Sequence, residues 1–366
     1  MLQKICATGL FMLIGFTSFS QQATAVSNSP AASETTQQEK EEPKPVLTVS
    51  GSADLYYKYD FNKQVSNNRT SFTNSQNAFS LGMASVKLEH VGKKVSMVAD
   101  LGFGTRAAEF AYTDAGTMAA IKQLYISYIP VEGLKLTAGS WATHVGYELV
   151  DPQLNRNYSM SYMFTNGPFT HTGLKAEYSK GKSSFMLGVS NPTDFRVVPG
   201  GFMNKKFAIA QYSYAASDAV KLYFNYVGGK GLDTSITNQF DFVGTATISS
   251  KFSVGLNATL NRTQAWDGAK NISGQSWWGT AAYLNLDPTS TFGLTLRSEY
   301  FNDDKGVKGI NASLFANTLS ANFKVGSFVF IPELRFESSS KPIYTDANSN
   351  GVKSATSLIL AAVYKF

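Results

Sequence analysis

From Val46 onward the chain is written in a two-residue alternation that recurs in runs of about ten residues, and nowhere does it contain an apolar run long enough for a membrane helix. Leu47, Val49, Ala53, Leu55, Tyr57 and Tyr59 alternate with Ser50, Ser52, Asp54 and Lys58. Val95, Met97, Ala99, Leu101 and Phe103 alternate with Ser96, Asp100 and Gly102. Leu222, Phe224 and Tyr226 oppose Lys221 and Asn225. Phe292, Leu294, Leu296 and Tyr300 oppose Thr295, Arg297 and Glu299, and Phe328, Phe330, Leu334 and Phe336 oppose Glu333, Arg335 and Glu337. A strand sends successive side chains to opposite faces, so each segment has one charged face and one aliphatic and aromatic face. A strand of about ten residues with that division can cross a bilayer when tilted.

The connectors alternate as well. Short turns are expected near 91–94, 130–133, 179–182, 215–218, 249–251, 287–290 and 324–327. Longer Asn-, Gly- and Ser-rich loops are expected near 60–75, 104–117, 144–171, 191–205, 228–238, 261–275, 302–308 and 337–353. Seven turns and eight loops imply sixteen antiparallel strands with both strand ends on the turn side, the outer-membrane pattern. The phase is ambiguous near 78–89 and 310–324, which keeps fourteen and eighteen strands open. A soluble β-sandwich or β-helix would also alternate. Against it, the apolar faces end in Tyr57, Tyr59, Tyr128, Tyr178, Tyr214, Tyr226 and Tyr300, as an interfacial girdle would, and no fixed repeat occurs. The fold class is therefore all-β, a transmembrane antiparallel barrel. Closure removes the strand edges that lipid would not tolerate.

Residues 1–20 read as a signal peptide, with Lys4 ahead of the apolar run 5–16 and cleavage as late as residue 25. The single cysteine, Cys6, lies inside it, so export leaves no disulfide framework and no thiolate metal site. Residues 21–45 are polar and too poor in large apolar side chains to fold; they read as a disordered periplasmic tether, too short to plug a barrel. Residues 46–366 form the barrel. They carry 29 basic and 22 acidic residues, a net +7 that is too dilute for nucleic acid and would favour anions slightly in a pore.

Gly51–Phe61 (GSADLYYKYDF), Asn77–His90 (NAFSLGMASVKLEH), Val98–Gly104 (VADLGFG) and the stretch 141–171 resemble the OmpL-like β-barrel porins of Bacteroidetes-type bacteria. The resemblance covers most of 46–366 and implies a Gram-negative outer-membrane porin. It brings no functional residues with it. The C-terminal Ala362-Val363-Tyr364-Lys365-Phe366 resembles the signal read by the barrel assembly machinery, with Phe366 as the terminal aromatic.

The stretch 144–171 is the longest interval without alternation, holds Tyr147, Tyr158, Tyr162, Phe164 and Phe169, and is bent by Pro152 and Gly167-Pro168. A long loop so aromatic should pack, and the expectation is that it folds into the lumen as a constriction. Its charges, Glu148, Asp151 and Arg156, are the candidate constriction residues. Lys58, Lys87, Lys175, Lys221, Arg297 and Arg335 are candidate lining cations of the wall, set to make a transverse field with the loop carboxylates. Lys175–Glu177, Arg297–Glu299 and Arg335–Glu337, each two apart on one face, also suit lateral pairing. His144 and His171 flank the loop without a third ligand. Asp346, Asn348 and Asn350 match the first half of a calcium loop, but Ser357 stands where its twelfth-position carboxylate belongs. No Gly-x-Ser-x-Gly elbow occurs.

The reading is an outer-membrane porin passing small hydrophilic solutes or ions by passive diffusion, embedded in lipid and needing no cofactor and no chemistry. A homotrimer is a family-level analogy. Two rivals stand beside it: an adhesion or binding barrel with a blocked lumen and, ranked below it, a barrel lipid hydrolase.

Overall fold

The computed structural model describes residues 45–112 and 114–366. The expected signal peptide and nearly all of the tether lie outside the described residues.

Sixteen strands close into one antiparallel barrel. They are β1 (Val46–Asp60), β2 (Ala78–Val91), β3 (Val95–Phe103), β4 (Ile121–Val131), β5 (Leu134–Ala142), β6 (Thr170–Lys180), β7 (Ser183–Ser190) and β8 (Phe207–Ala215). They continue as β9 (Val220–Lys230), β10 (Ile236–Thr247), β11 (Phe252–Gln264), β12 (Gln275–Leu286), β13 (Phe292–Asn302), β14 (Ser313–Val325), β15 (Phe328–Ser339) and β16 (Ser354–Lys365). Each strand pairs with its neighbours in sequence, and β1 pairs with β16 through a register that sets Asp54 opposite Val363. The seam ends in a reciprocal pair of hydrogen bonds between the backbones of Gly51 and Phe366, each N–H donating to the other's carbonyl oxygen at 3.0 Å. Gly51 is required there, because a Cβ would meet the Phe366 ring and the Ser85 carbonyl.

The alternation has the expected sense. On β1, Ser52, Asp54, Tyr56, Lys58 and Asp60 are buried inside while Leu47, Val49 and Leu55 are exposed outside. Phe79 (81% exposed), Leu81, Leu187 and Val325 would be costly in water, but they form the belt that faces hydrocarbon in a membrane. Tyr57 and Tyr226 lie at the loop end and donate to the Asn77 and Asn238 side chains at 2.6 and 2.7 Å. Among the described residues no helix is long and apolar enough to cross a membrane.

Both ambiguous stretches have physical causes. In β2 the register slips between Ala53 and Leu55 of β1, so Gly82 and Met83 together oppose Asp54. This bulge switches the outward set from Phe79 and Leu81 to Ala84 and Val86. On β14, Leu314 and Ala316 point inward into an apolar cluster with Trp277 and Tyr162, while Asn317 points out.

Candidate functional site

Segment 143–169, between β5 and β6, is irregular except for one turn of 3-10 helix (Pro152–Leu154) and a short helix, α2 (Tyr162–Asn166). His171, expected to end the loop, instead pairs with Trp141 across the β5–β6 ladder. Irregular backbone inside a barrel needs partners for every N–H and C=O. The walls supply them as charged side chains.

The stretch 158–162 shows the logic. The backbone N–H groups of Tyr158 and Ser159 donate to the two oxygens of Glu333 on β15 at 2.7 and 3.1 Å. That of Ser161 donates to Glu148 at 2.7 Å, and that of Tyr162 to Glu299 on β13 at 2.8 Å. The facing carbonyls take guanidinium donors. Arg297 on β13 reaches Ser159 O at 2.7 Å and Met160 O at 3.2 Å; Arg335 on β15 reaches Met160 O at 3.0 Å. Arg297 also pairs with Glu148 at 2.5 Å and Glu299 at 3.4 Å, and Arg335 with Glu299 at 3.1 Å and Glu337 at 3.0 Å. Arg297 has no accessible surface at all, so its charge persists only because carboxylates and carbonyls surround it. Ser161 caps α2, its hydroxyl accepting from Phe164 N–H at 3.1 Å.

Other ties run to other walls. Gly146 N–H donates to Asp241 on β10 at 2.9 Å, and Tyr147 stacks on Tyr283 of β12 with centroids 3.9 Å apart. Asp151 pairs at 2.5 Å with Lys122 of β4, which also pairs with Asp100 of β3 at 3.1 Å. Arg156 makes a bidentate pair with Asp287 in the β12–β13 turn, at 2.5 and 2.9 Å. The Tyr158 hydroxyl donates to Asp54 on β1, and the Arg106 guanidinium of the short helix α1 (Thr105–Phe110) lies 4.7 Å from the Tyr158 ring centre. Phe164 and Phe169 join Phe72, Phe110, Val150 and Met160 in a dry cluster under the first two loops. The segment is thus bonded to β1, β4, β10, β13 and β15, strands on opposite sides of the barrel.

The candidates from sequence divide. Glu148, Asp151, Arg156, Arg297 and Arg335 come together along this segment. They meet in direct ion pairs, not across open water. The expected lateral pairs Lys175–Glu177 (3.6 Å), Arg297–Glu299 and Arg335–Glu337 form. Lys58 serves the first loop, donating to Asn68 Oδ1 at 2.5 Å and Thr73 O at 3.0 Å. Lys87 pairs with Glu89 at 3.1 Å toward the turn end, Lys175 lies over the Trp141 ring, and Lys221 is exposed at the turn end. Lys122, Arg106 and Asp241 were not singled out in sequence, and Glu333 was read there only as an inward wall position. Lys122 starts a strand beside an irregular loop, and Arg106 lies in a loop, so neither carries a wall phase to read.

The His144 and His171 rings lie 5.1 Å apart, but His144 Nε2 contacts the Tyr226 carbonyl and His171 Nε2 contacts Thr143 Oγ1. Burial pushes the His144 imidazole down to about 4, so it is neutral at neutral pH. Among the described residues no group of three His, Cys, Asp or Glu could hold a metal. The Asp346 carboxylate is occupied by its own turn, accepting from Asn348 N, Asn350 N and Asn350 Nδ2 at 2.9, 2.8 and 3.1 Å. That use caps a turn.

Comparison with solved structures shows the same architecture at low identity. The chain is similar to OmpT, an outer membrane protein of Vibrio cholerae (12% identity, TM-score 0.57, covering 89% of this chain and 100% of that one). It is similar to an anion-selective porin from Comamonas acidovorans (10%, TM-score 0.60, 88% and 100%). It is also similar to the outer membrane channel DcaP of Acinetobacter baumannii (10%, TM-score 0.59, 88% and 97%). A comparison with curated proteins found no match. The model of the family described as "Putative beta-barrel porin-2, OmpL-like" matches residues 46–366. The alternation, the closed sixteen-strand wall and this match across the whole barrel meet in one conclusion: the chain belongs to the OmpL-like β-barrel porins of the outer membrane.

Proposed function

We propose that segment 143–169 sets the aperture of this porin and that the solutes passed are small, hydrophilic and carried by diffusion. The observation that supports the reading is the Arg297–Glu148 pair with its neighbours Arg335 and Glu333. These fix the segment to the wall of β13 and β15, while Lys122 on β4 and Asp241 on β10 hold it from other walls, so anything crossing the barrel must pass beside it. The segment's charges are neutralised in contact by the wall and its turns, Glu148 by Arg297, Asp151 by Lys122 and Arg156 by Asp287, so charge discrimination rests on the net +7 of the barrel, with a weak anion preference. The work is steric and electrostatic and needs no bond making. Trimeric assembly belongs to the same proposal; an OmpT structure similar to this chain is described as a trimer form.

A second reading, a barrel whose lumen stays blocked, is favoured by one feature. Arg297, Thr318 and Ser320 on the inner face, and Arg106 on α1, have no accessible surface. Single-channel recording separates the two. The wild-type porin should give small, stable steps, and a variant lacking residues 151–167 should give larger ones. A folded deletion variant with wild-type conductance would sink the constriction role. Silence from the folded wild type would favour the blocked barrel.

A further inference from the structure

At the loop end, beside the last residues of segment 143–169, lies a cavity of about 290 Å³. The end of segment 143–169 (Asn166), the β7–β8 loop, the β13–β14 loop and the wall of β10 and β11 enclose it. Three of its side chains offer polar groups to a ligand. Asp194 Oδ1 accepts the N–H groups of Phe169 and Thr170 at 2.7 and 2.8 Å, while Oδ2 has no partner among the described residues. Lys308, an exposed residue at the cavity rim, makes no ion pair among the described residues, and its Nζ lies 5.9 Å from the Trp277 ring centre. Gln239 is 4% exposed; its Oε1 accepts from Asn261, but its Nε2 is buried without an acceptor. An unpaired buried donor is a cost that a ligand acceptor would remove.

We propose that this cavity binds a short zwitterionic peptide, its ammonium on Asp194 Oδ2, its carboxylate on Lys308 Nζ and a peptide carbonyl on Gln239 Nε2. The charges choose the class. A simple anion would meet Asp194, a simple cation would meet Lys308, and a neutral polyol would leave both unmatched. A molecule with both charges and an amide between them answers all three groups. The inference rests on the porin reading in one respect: the cavity is where a solute entering from the loop side would first pause.

Burial pushes the Asp194 carboxyl up to about 6, against the pull of its two N–H donors, Lys308 and Arg196. The charged and titratable groups around it are Lys308, Tyr112 and Arg196, the last paired with Asp114 at 2.6 Å. Asp194 is therefore anionic at neutral pH and loses its charge as pH falls through about 6, taking the ammonium contact with it.

The test is calorimetric titration of the folded full-length protein in micelles with three probes: triglycine, N-acetyl-triglycine amide and maltose. Triglycine should bind. The blocked peptide should bind about tenfold more weakly, as should triglycine to Asp194→Asn, which keeps the Oδ1 acceptor, and to Lys308→Met. Triglycine affinity should also fall between pH 7 and pH 5. Equal binding of the blocked peptide, binding of maltose in place of triglycine, or no triglycine binding by the folded protein would each overturn the proposal. Conductance is recorded in parallel. Channels without triglycine binding overturn this proposal alone, and triglycine binding without channels overturns the porin reading alone.

Discussion

Arg297 shows how one residue governs the interior. Its guanidinium holds Glu148 and two loop carbonyls, and it donates to Thr318 Oγ1 at 3.1 Å. Removing one member of a buried pair leaves the other charged and unsolvated, which costs about 3–5 kcal/mol. Arg297→Met should therefore lower the unfolding free energy in urea by about that amount. Adding Glu148→Gln should recover part of it, because the orphaned carboxylate is then gone. A single-variant loss below about 1 kcal/mol would mean that the cluster is wetter than its burial indicates. Arg297, Arg335, Glu299 and Glu337 were legible in sequence as inward positions from period two alone. Their partners were not, because Glu148 approaches from a segment with no phase.

Among the elements, β2 departs from regular alternation at a bulge opposite Asp54. Its bulge exists so that Gly82 and Met83 can surround the Asp54 carboxylate. Met83 N–H donates to Asp54 Oδ1 at 2.9 Å, and a Cβ on Gly82 would fall on Oδ2, the atom that holds Tyr158. Gly82→Ala should destabilise the barrel by about 1–3 kcal/mol as an overpacked site. Gly200→Ala, in a loop with open space around the new methyl, should leave stability unchanged. Equal midpoints for the two variants in thermal unfolding would show that β2 can shift to make room. The ambiguous phase of β2 in sequence was thus the trace of a real bulge. That of β14 came from apolar side chains recruited inward by α2 and Trp277.

On the scale of the whole molecule, a bilayer recording under a salt gradient should give a reversal potential of the sign for mild anion preference. A cation preference would place the deciding charges elsewhere than in the +7 total. The sequence by itself determined the class of wall, the inward and outward faces of most strands, and which connectors are turns and which are loops; it favoured sixteen strands, and the structure fixed that count. These follow from local physics: period two sorts side chains between lipid and lumen, and turn residues punctuate the chain. Only the tertiary structure decided where segment 143–169 lies and which wall charges meet it. Only the tertiary structure brought Asp194, Gln239 and Lys308 to one cavity. Several of these pairings join residues more than a hundred positions apart, as Glu148 to Arg297 and Arg156 to Asp287 are. They depend on closure of the barrel, because only a closed wall brings opposite strands within reach of one loop, and no local pattern encodes that distance.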